Sequence, residues 1–482
     1  MFIMMCYKFR FVFKCVFTVC IKHCVSELQM SFMEPFRIKM VEPLTFLTRE
    51  ERIKILEDSG SNPFKLDSRH VTFDFATDSG TGAMSQHQWA AMMQADEGYF
   101  SSRSFKKLED CVKSLTGFQY MLPAHQGRAV ERLLFSILSK PGMTIFSNTL
   151  FSTTRGNADI NGLQVVDLPC NVSPENSFNA NIDCGRLKKE LETMGPEGAM
   201  VVLAVASTGQ AGQPVSMSNI QDLSNICHSF DIPLIMDGCR FAENAYFIKT
   251  RDKEYSLMSC KDIALKMFSY FDHVYVSAKK DGLCNTGAFL ATNQQGVYDK
   301  ASVRMFYTEG FKTYGGLTGR DMEAMTVGLL ENIDDKFLQY RVDSTYMFGD
   351  ILKKAGVHVI DPIGCGLYIN GAKCLPHVPT CQYPAFALHC ALYIEGGIRC
   401  AQIDDILKLD ESNERENPKP QHILRIQIPR RVYTLSHMLH VGDIFKRVME
   451  RRESISGMHV IDLTSSDFTA ILEPVKGKIF DD

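Results

Sequence analysis

The chain has 482 residues, enough for two or three domains and a sizeable core. Hydrophobic residues make up 45% and charged residues 22%, and 52 basic against 56 acidic residues leave a formal net charge of −4. That composition excludes a disordered or collagen-like chain, and the even charge balance points to no nucleic acid and no membrane surface as partner.

The sixteen cysteines are scattered and form no CxxC pair, the pattern of reduced thiols in a cytoplasmic protein rather than a disulfide scaffold. Met1 to Val25 alternates basic and apolar residues around Cys6, Cys15, Cys20 and Cys24. Its longest uncharged run, Cys15 to Ile21, is too short to cross a bilayer, and it lacks the clean apolar stretch of a signal peptide. Residues 1–32 are expected to be a disordered extension, or to lie upstream of the real start. Cys20, His23 and Cys24 fit no standard metal spacing.

From Met33 onward the sequence reads as globular. Met143–Ser147, Met200–Ala206, Pro233–Asp237 and His273–Ser277 are short apolar runs bounded by breakers, and helical patterns such as Ala129–Leu138, Ser218–Phe230 and Lys261–Phe271 accompany them. Strands alternating with helices predict an α/β fold with a mostly parallel sheet wound through right-handed crossovers. From about Lys336 a long helix, a few strands and further helices predict a smaller α+β domain. The expected division is 33–76 as an N-terminal segment packing with the small domain, 77–335 as the large domain and 336–482 as the small one.

Ligands of open α/β sheets sit beyond the carboxyl ends of the strands. Asp237 closes one strand, followed by Gly238, Cys239 and Arg240; another runs into Lys279, Lys280 and Asp281; and Gln126, Gly127 and Arg128 precede a helix. Taken singly, these residues read as a helix cap, a solvated turn and a loop. Together they supply what pyridoxal phosphate (PLP) needs: a lysine amine, an anion for the ring nitrogen, and backbone N–H groups with an arginine at a helix N-terminus. A second ammonium at Lys279 favours the neutral, nucleophilic form of Lys280.

Longer phrases then become recognisable: TDSGTGAMS (Thr77–Ser85), PAHQGR (Pro123–Arg128), GQPVSMSN (Gly212–Asn219), RFAENAYFIK (Arg240–Lys249), SAKKD (Ser277–Asp281), TYGGLTGRDMEAM (Thr313–Met325) and IPRRVYT (Ile428–Thr434). In these the sequence resembles the β-eliminating lyases, the tryptophanase and tyrosine phenol-lyase family. The likeness runs from Glu34 to Ala470. It implies the PLP-dependent transferase fold of the aspartate-aminotransferase type, and a homotetramer with active sites at dimer interfaces.

The resemblance also implies roles. Lys280 would be the Schiff-base lysine and the base that takes the Cα proton, and Asp237 would pair with the pyridine nitrogen. Arg240 would face the ring hydroxyl, Phe151 would stack on the ring, and Gln126, Gly127, Arg128 and Ser277 would cradle the phosphate. Arg425 would grip the substrate carboxylate, assisted by Thr77 and Ser79. Tyr99 would protonate the leaving group. Glu97, with the backbone oxygens of Gly80 and Asn285, would hold a potassium ion. The implied reaction releases pyruvate and ammonia from the amino acid.

Departures from the family cluster around the substrate. Thr208 replaces an asparagine, Ser152 follows the stacking phenylalanine in place of Asp or Thr, and Asp467 precedes FTA in place of His or Phe. Gly364–Leu367 reads GCGL, where the family has a histidine. Ile403 stands where phenol-lyases carry an arginine for the phenol hydroxyl, which lowers the odds of tyrosine. L-Tryptophan is therefore the expected substrate, with tyrosine, an S-alkylcysteine or weak turnover by a PLP-binding relative left open.

Overall fold

The computed structural model describes residues 33–173, 175–195, 198–361, 363–403, 422–462 and 468–481. The N-terminal extension and Asp467 lie outside them, as do the side chains of Thr208 and Ile403.

Seven strands form the central sheet: β1 (Tyr120–Ala124), β2 (Thr144–Ser147), β3 (Gln164–Asp167), β4 (Ala199–Ala204), β5 (Leu234–Asp237), β6 (His273–Ser277) and β7 (Ala288–Thr292). Their order is β1-β7-β6-β5-β4-β2-β3. β7 is antiparallel to β1 and β6, and every other neighbouring pair is parallel. The four strands expected from sequence are all present, β6 with the same bounds and the others shifted by one or two residues at their ends.

Side chains alternate across a strand, and here both faces are covered. Phe146, Val201, Leu203, Met236, Val274 and Val276 belong to the core on one side. Ile145, Met200, Val202, Ile235 and Tyr275 belong to the core on the other. Burial on both faces explains why β4 reads AMVVLA, without a polar position.

The helices that frame the functional region are α1 (Gln86–Met93), α2 (Gly127–Leu138), α3 (Ser152–Ile160), α4 (Phe241–Arg251), α5 (Ala278–Asp281) and α6 (Gly319–Asn332). They are followed by α7 (Asp335–Lys354), α8 (Pro384–Gly396) and α9 (Leu435–Glu450). α2 shows how patterning sets orientation: Val130, Leu133 and Leu134 recur at helical spacing and are buried against the sheet. Burying each such side chain contributes roughly 1.5–3 kcal/mol.

A second core joins the two ends of the chain. Leu56, Leu66, Phe73 and Phe75 pack with Leu367, Phe386, Leu424 and Phe445. The small sheet there has the order β9-β10-β8, from β8 (Leu367–Asn370), β9 (Ala401–Ile403) and β10 (Ile423–Ile426), all antiparallel. Phe73–Asp74 adds a parallel pair with Ile398–Arg399. Among the described residues no helix is long and apolar enough to cross a membrane.

Close packing fixes the short helix α5. Gly328 on α6 lies against the carbonyl of Gly282, the residue that ends α5, and a β-carbon at 328 would collide with that oxygen. Gly328→Ala is therefore expected to force α6 away and to cost about 1–3 kcal/mol, the usual penalty for overpacking. A thermal melt of the variant reads this directly, and an unchanged melting temperature would refute it.

Candidate active site

The strand ends converge at one edge of the sheet. β5 delivers Asp237, whose Oδ1 accepts the N–H of Cys239 (3.1 Å) and stays at the strand end. β6 delivers Ser277 and passes straight into α5 with Lys279 and Lys280. β1 ends at Ala124, and His125 and Gln126 lead into α2.

The head of α2 has the features of an anion site. Gln126 is extended (φ −161°, ψ 161°) and no side chain caps the helix, so its first N–H groups keep free hydrogens and the positive end of the helix dipole faces outward. Gly127 is needed for proximity rather than conformation, since a β-carbon there would lie 2.7 Å from the Ser277 β-carbon. Lys279 lies nearby: burial, Lys280 and Arg128 together lower its pKa from the usual lysine value. Helix dipole, Arg128 and two ammonium groups make this the most cationic part of the site.

The loop after Phe75 stitches this edge to the small domain. Gly80 donates to the Lys279 carbonyl (2.7 Å) and Ser79 to the Thr77 hydroxyl (3.1 Å). Gly80 has φ +77°, and a β-carbon there would meet the Lys279 side chain at 2.7 Å. Arg425, on β10, donates from Nη2 to the Ala76 carbonyl (3.1 Å), while its buried Nε has no partner among the described residues. Thr77, Ser79 and Arg425 thus border the same space as the lysines. Phe151, 36% exposed, heads α3 with Ser152 beside it. The turn Thr208–Gln210 packs there too: Gly209 lies against Thr149, and Asn148 Nδ2 donates to Gln210 Oε1 (3.1 Å).

Arg240 is buried and its fork is committed to Asp78 (Nε–Oδ2 3.1 Å, Nη2–Oδ1 2.8 Å), leaving Nη1 facing the Ala206 carbonyl at 3.4 Å. Asp78 opens a wholly buried ionic network. Arg430 contacts Asp78 (2.9 Å), Glu243 (3.0 Å) and Asp281 (3.0 Å), and Arg341 adds a contact to Glu243 (3.1 Å). Burial opposes the charge of Asp78, yet Arg240 and Arg430 hold its carboxyl well below the usual carboxylate range. Asp281 also accepts the Ala242 N–H (2.8 Å), and burial pushes its carboxyl up against the pull of Arg430. Sequence reading missed this network. Its only trace was that the charges Asp78, Glu243, Asp281 and Arg430 sit inside the recognisable phrases.

Tyr99 and Glu97 lie among neighbours of their own. Tyr99 is 52% exposed and packs with Phe100, Phe311 and Tyr314, with ring centroids 4.8, 5.7 and 5.2 Å away. Glu97 Oε2 accepts the Gly319 N–H (3.0 Å) at the head of α6, nine residues and about 13 Å of helix from Gly328. The Gly80 carbonyl instead accepts Asn285 Nδ2 (2.9 Å), and the Asn285 carbonyl lies 2.8 Å from where a Gly80 β-carbon would be. Glu97 and the carbonyls of Gly80 and Asn285 thus each have contacts of their own within the chain.

Comparison with known proteins places this geometry. The family model described as beta-eliminating lyase matches residues 74–443. The chain belongs to the β-eliminating lyase family. This lyase is 42% identical to a tryptophanase of Salinibacter ruber, over 92% of this chain and 96% of that protein. It is 39% identical to a tyrosine phenol-lyase of Pasteurella multocida, over 92% and 98%. Among solved structures, a PLP-bound putative aminotransferase from Clostridium difficile aligns with TM-score 0.56 at 10% identity, covering 78% of this chain and 92% of that one. The fold is therefore that of the PLP-dependent transferases, and the protein is a PLP-dependent lyase. The uncapped α2 head, the Gly127–Ser277 contact and the lysine pair fit that cofactor.

The ionic network gives a stability prediction. Arg430→Met leaves the carboxylates of Glu243 and Asp281 buried with one cationic partner fewer, and breaking such a pair costs about 3–5 kcal/mol. Urea unfolding should show a much lower midpoint, and a wild-type midpoint would mean that the network is dispensable.

Proposed function

We propose that the protein eliminates the β-substituent of L-tryptophan, releasing indole, pyruvate and ammonia. The observation that carries this is the convergence of Asp237, Lys280, the α2 head and Arg425 on one space at the sheet edge, in a chain whose relatives include tryptophanases. Bound at this edge, PLP supplies an electron sink for the charge left when Cα loses its proton.

This chain's residues would do the rest. The free N–H groups of Gly127 and the side chains of Arg128 and Ser277 would hold the phosphate. Asp237 would keep a proton on the ring nitrogen, and Phe151 would cover one face of the ring. The Arg425 fork would hold the substrate carboxylate, with Thr77 and Ser79 beside it, in the planar two-point contact that guanidinium suits. Lys280 Nζ would then remove the Cα proton. Ile403, in place of a phenol-binding arginine, supports an indole leaving group over a phenol.

Tyr99 would supply the leaving-group proton from a second copy of the chain. Its ring lies in an exposed aromatic patch with Phe100 (73% exposed) and Tyr307 (80% exposed), a surface suited to burial against another protomer. Two residues away, Glu97 would arrive by the same route at the carbonyls of Gly80 and Asn285 and complete a potassium site within a homotetramer.

Four outcomes test this reading. Purified protein with PLP and potassium should release indole and pyruvate in equal amounts from L-tryptophan; pyruvate from S-alkylcysteine without indole would reassign the substrate. Lys280→Ala should abolish pyruvate release and borohydride fixation of the cofactor, and full activity would sink the assignment. Arg425→Lys should raise KM about tenfold to a hundredfold, matching loss of a charged hydrogen bond worth about 1.5–3 kcal/mol. Mixing inactive Tyr99→Phe and Lys280→Ala chains should restore activity if the tyrosine serves its partner's site, and no restoration would place it within its own.

A further inference from the structure

Glu131 is a buried carboxyl that none of these roles uses. It lies on α2, one turn beyond the phosphate-binding head, and is 3% exposed. Its Oε1 accepts Asn157 Nδ2 (2.7 Å) and its Oε2 accepts the Thr154 hydroxyl (2.9 Å), both from α3. Asn157 also reaches the Arg128 carbonyl (3.3 Å). One carboxyl therefore joins the helix that presents Gly127 and Arg128 to the helix that presents Phe151 and Ser152.

Beneath it lies Tyr275. Tyr275 on β6 is the registered cross-strand partner of Asp237 on β5, so the two side chains share a face of the sheet. The Tyr275 hydroxyl is fully buried; it makes no well-aligned hydrogen bond among the described residues, yet it lies within loose hydrogen-bonding reach of Glu131 and Thr154, and the charges of Asp237 and Glu131 both act on it. A buried hydroxyl that neighbours two carboxyls can donate to whichever is ionised. The charge of the half-buried Asp237 disfavours a second charge on the buried Glu131.

We propose that Glu131 is a positioning residue that acts through Tyr275 on Asp237: protonated, it leaves Asp237 as the single anion facing the ring nitrogen, and ionised, it adds a second charge behind it. This rests on the reading that Asp237 meets the cofactor ring. The groups facing Glu131 are Asp237 from β5, Tyr275 from β6, and the uncharged Thr154 and Asn157 from α3, with Arg128 preceding it on its own helix. Burial, reinforced by the charge of Asp237 and opposed by the Asn157 and Thr154 bonds, raises its pKa to about 7. The switch therefore falls at neutral pH, where the ionised form becomes populated.

The variant that tests this is Glu131→Gln, which mimics the protonated carboxyl and keeps an oxygen for Asn157. In the wild-type holoenzyme the visible band of bound cofactor should shift with a midpoint near pH 7, and in Glu131→Gln that transition should vanish. Stability gives a second readout. A buried acid with raised pKa contributes stability below its unfolded value near 4.5 and loses it as pH rises through its folded value. The wild type should lose melting temperature relative to Glu131→Gln between about pH 4.5 and 7. An unchanged spectral transition in Glu131→Gln would overturn the proposal, as would a variant destabilised equally at every pH with a wild-type spectrum. A wild type that binds no PLP would instead overturn the reading of Asp237 and this proposal with it.

Discussion

Three arginines and three carboxylates buried together constrain everything around them. Arg240, Arg430 and Arg341 face Asp78, Glu243 and Asp281, so the cluster is neutral as a whole while each member is desolvated. Such a cluster is tolerated only when every charge is matched in place, because an unpaired ion in a medium of low dielectric is far more costly than an unpaired amide. Its effect is therefore geometric. It fixes the loop after Phe75, the start of α4, the end of α5 and the segment after β10 relative to one another.

Those four pieces carry the proposed site. Asp78 stands between Thr77 and Ser79, Asp281 follows Lys280, Arg430 lies five residues beyond Arg425, and Arg240 lies three beyond Asp237. Thr77, Ser79, Asp237, Lys280 and Arg425 thus each have a charged neighbour in sequence anchored in the network. The lysine has little room to drift: its helix is one turn long, Gly328 presses on the residue after it, and the Asp281 side chain accepts the Ala242 amide. Placement to within a fraction of an ångström is what proton transfer at a fixed atom requires.

Sequence periodicity located the parallel strands well because they are apolar on both faces and end in breakers, as in His273–Ser277. β1, β3 and β7 were not among the expected strands, and at β1 Pro123 argues against a strand. It is accommodated because β1 lies at the sheet edge, with β7 as its only neighbour. Of the residues expected to face the cofactor, Gln126, Gly127, Arg128, Ser277 and Lys280 lie in the recognisable phrases, at the carboxyl ends of strands where α/β ligands bind. Glu131, Tyr275 and the ionic network were illegible for a different reason. Their meaning lies in pairs far apart in the chain, and a lone Glu on a helix or Tyr in a strand carries no sign of the partner it will meet. Tyr99 and Glu97 show the same limit one level higher, because the partners proposed for them belong to a second copy of the chain.

The network also orders events during synthesis. Asp281 and Arg430 are 149 residues apart, and Asp78 and Arg430 are 352. At about 5–20 residues per second, roughly 7–30 s pass between translation of the acid that follows Lys280 and that of the arginine that completes its pairing. Through that interval the sheet of the large domain, complete at Thr292, has a carboxylate destined for its interior still lacking a counter-ion. Until residue 430 of 482 is made, burial favours the protonated form of that carboxyl. A chain released before that point holds every cofactor-facing residue of the sheet and the lysine itself, yet lacks the ion that locks them together.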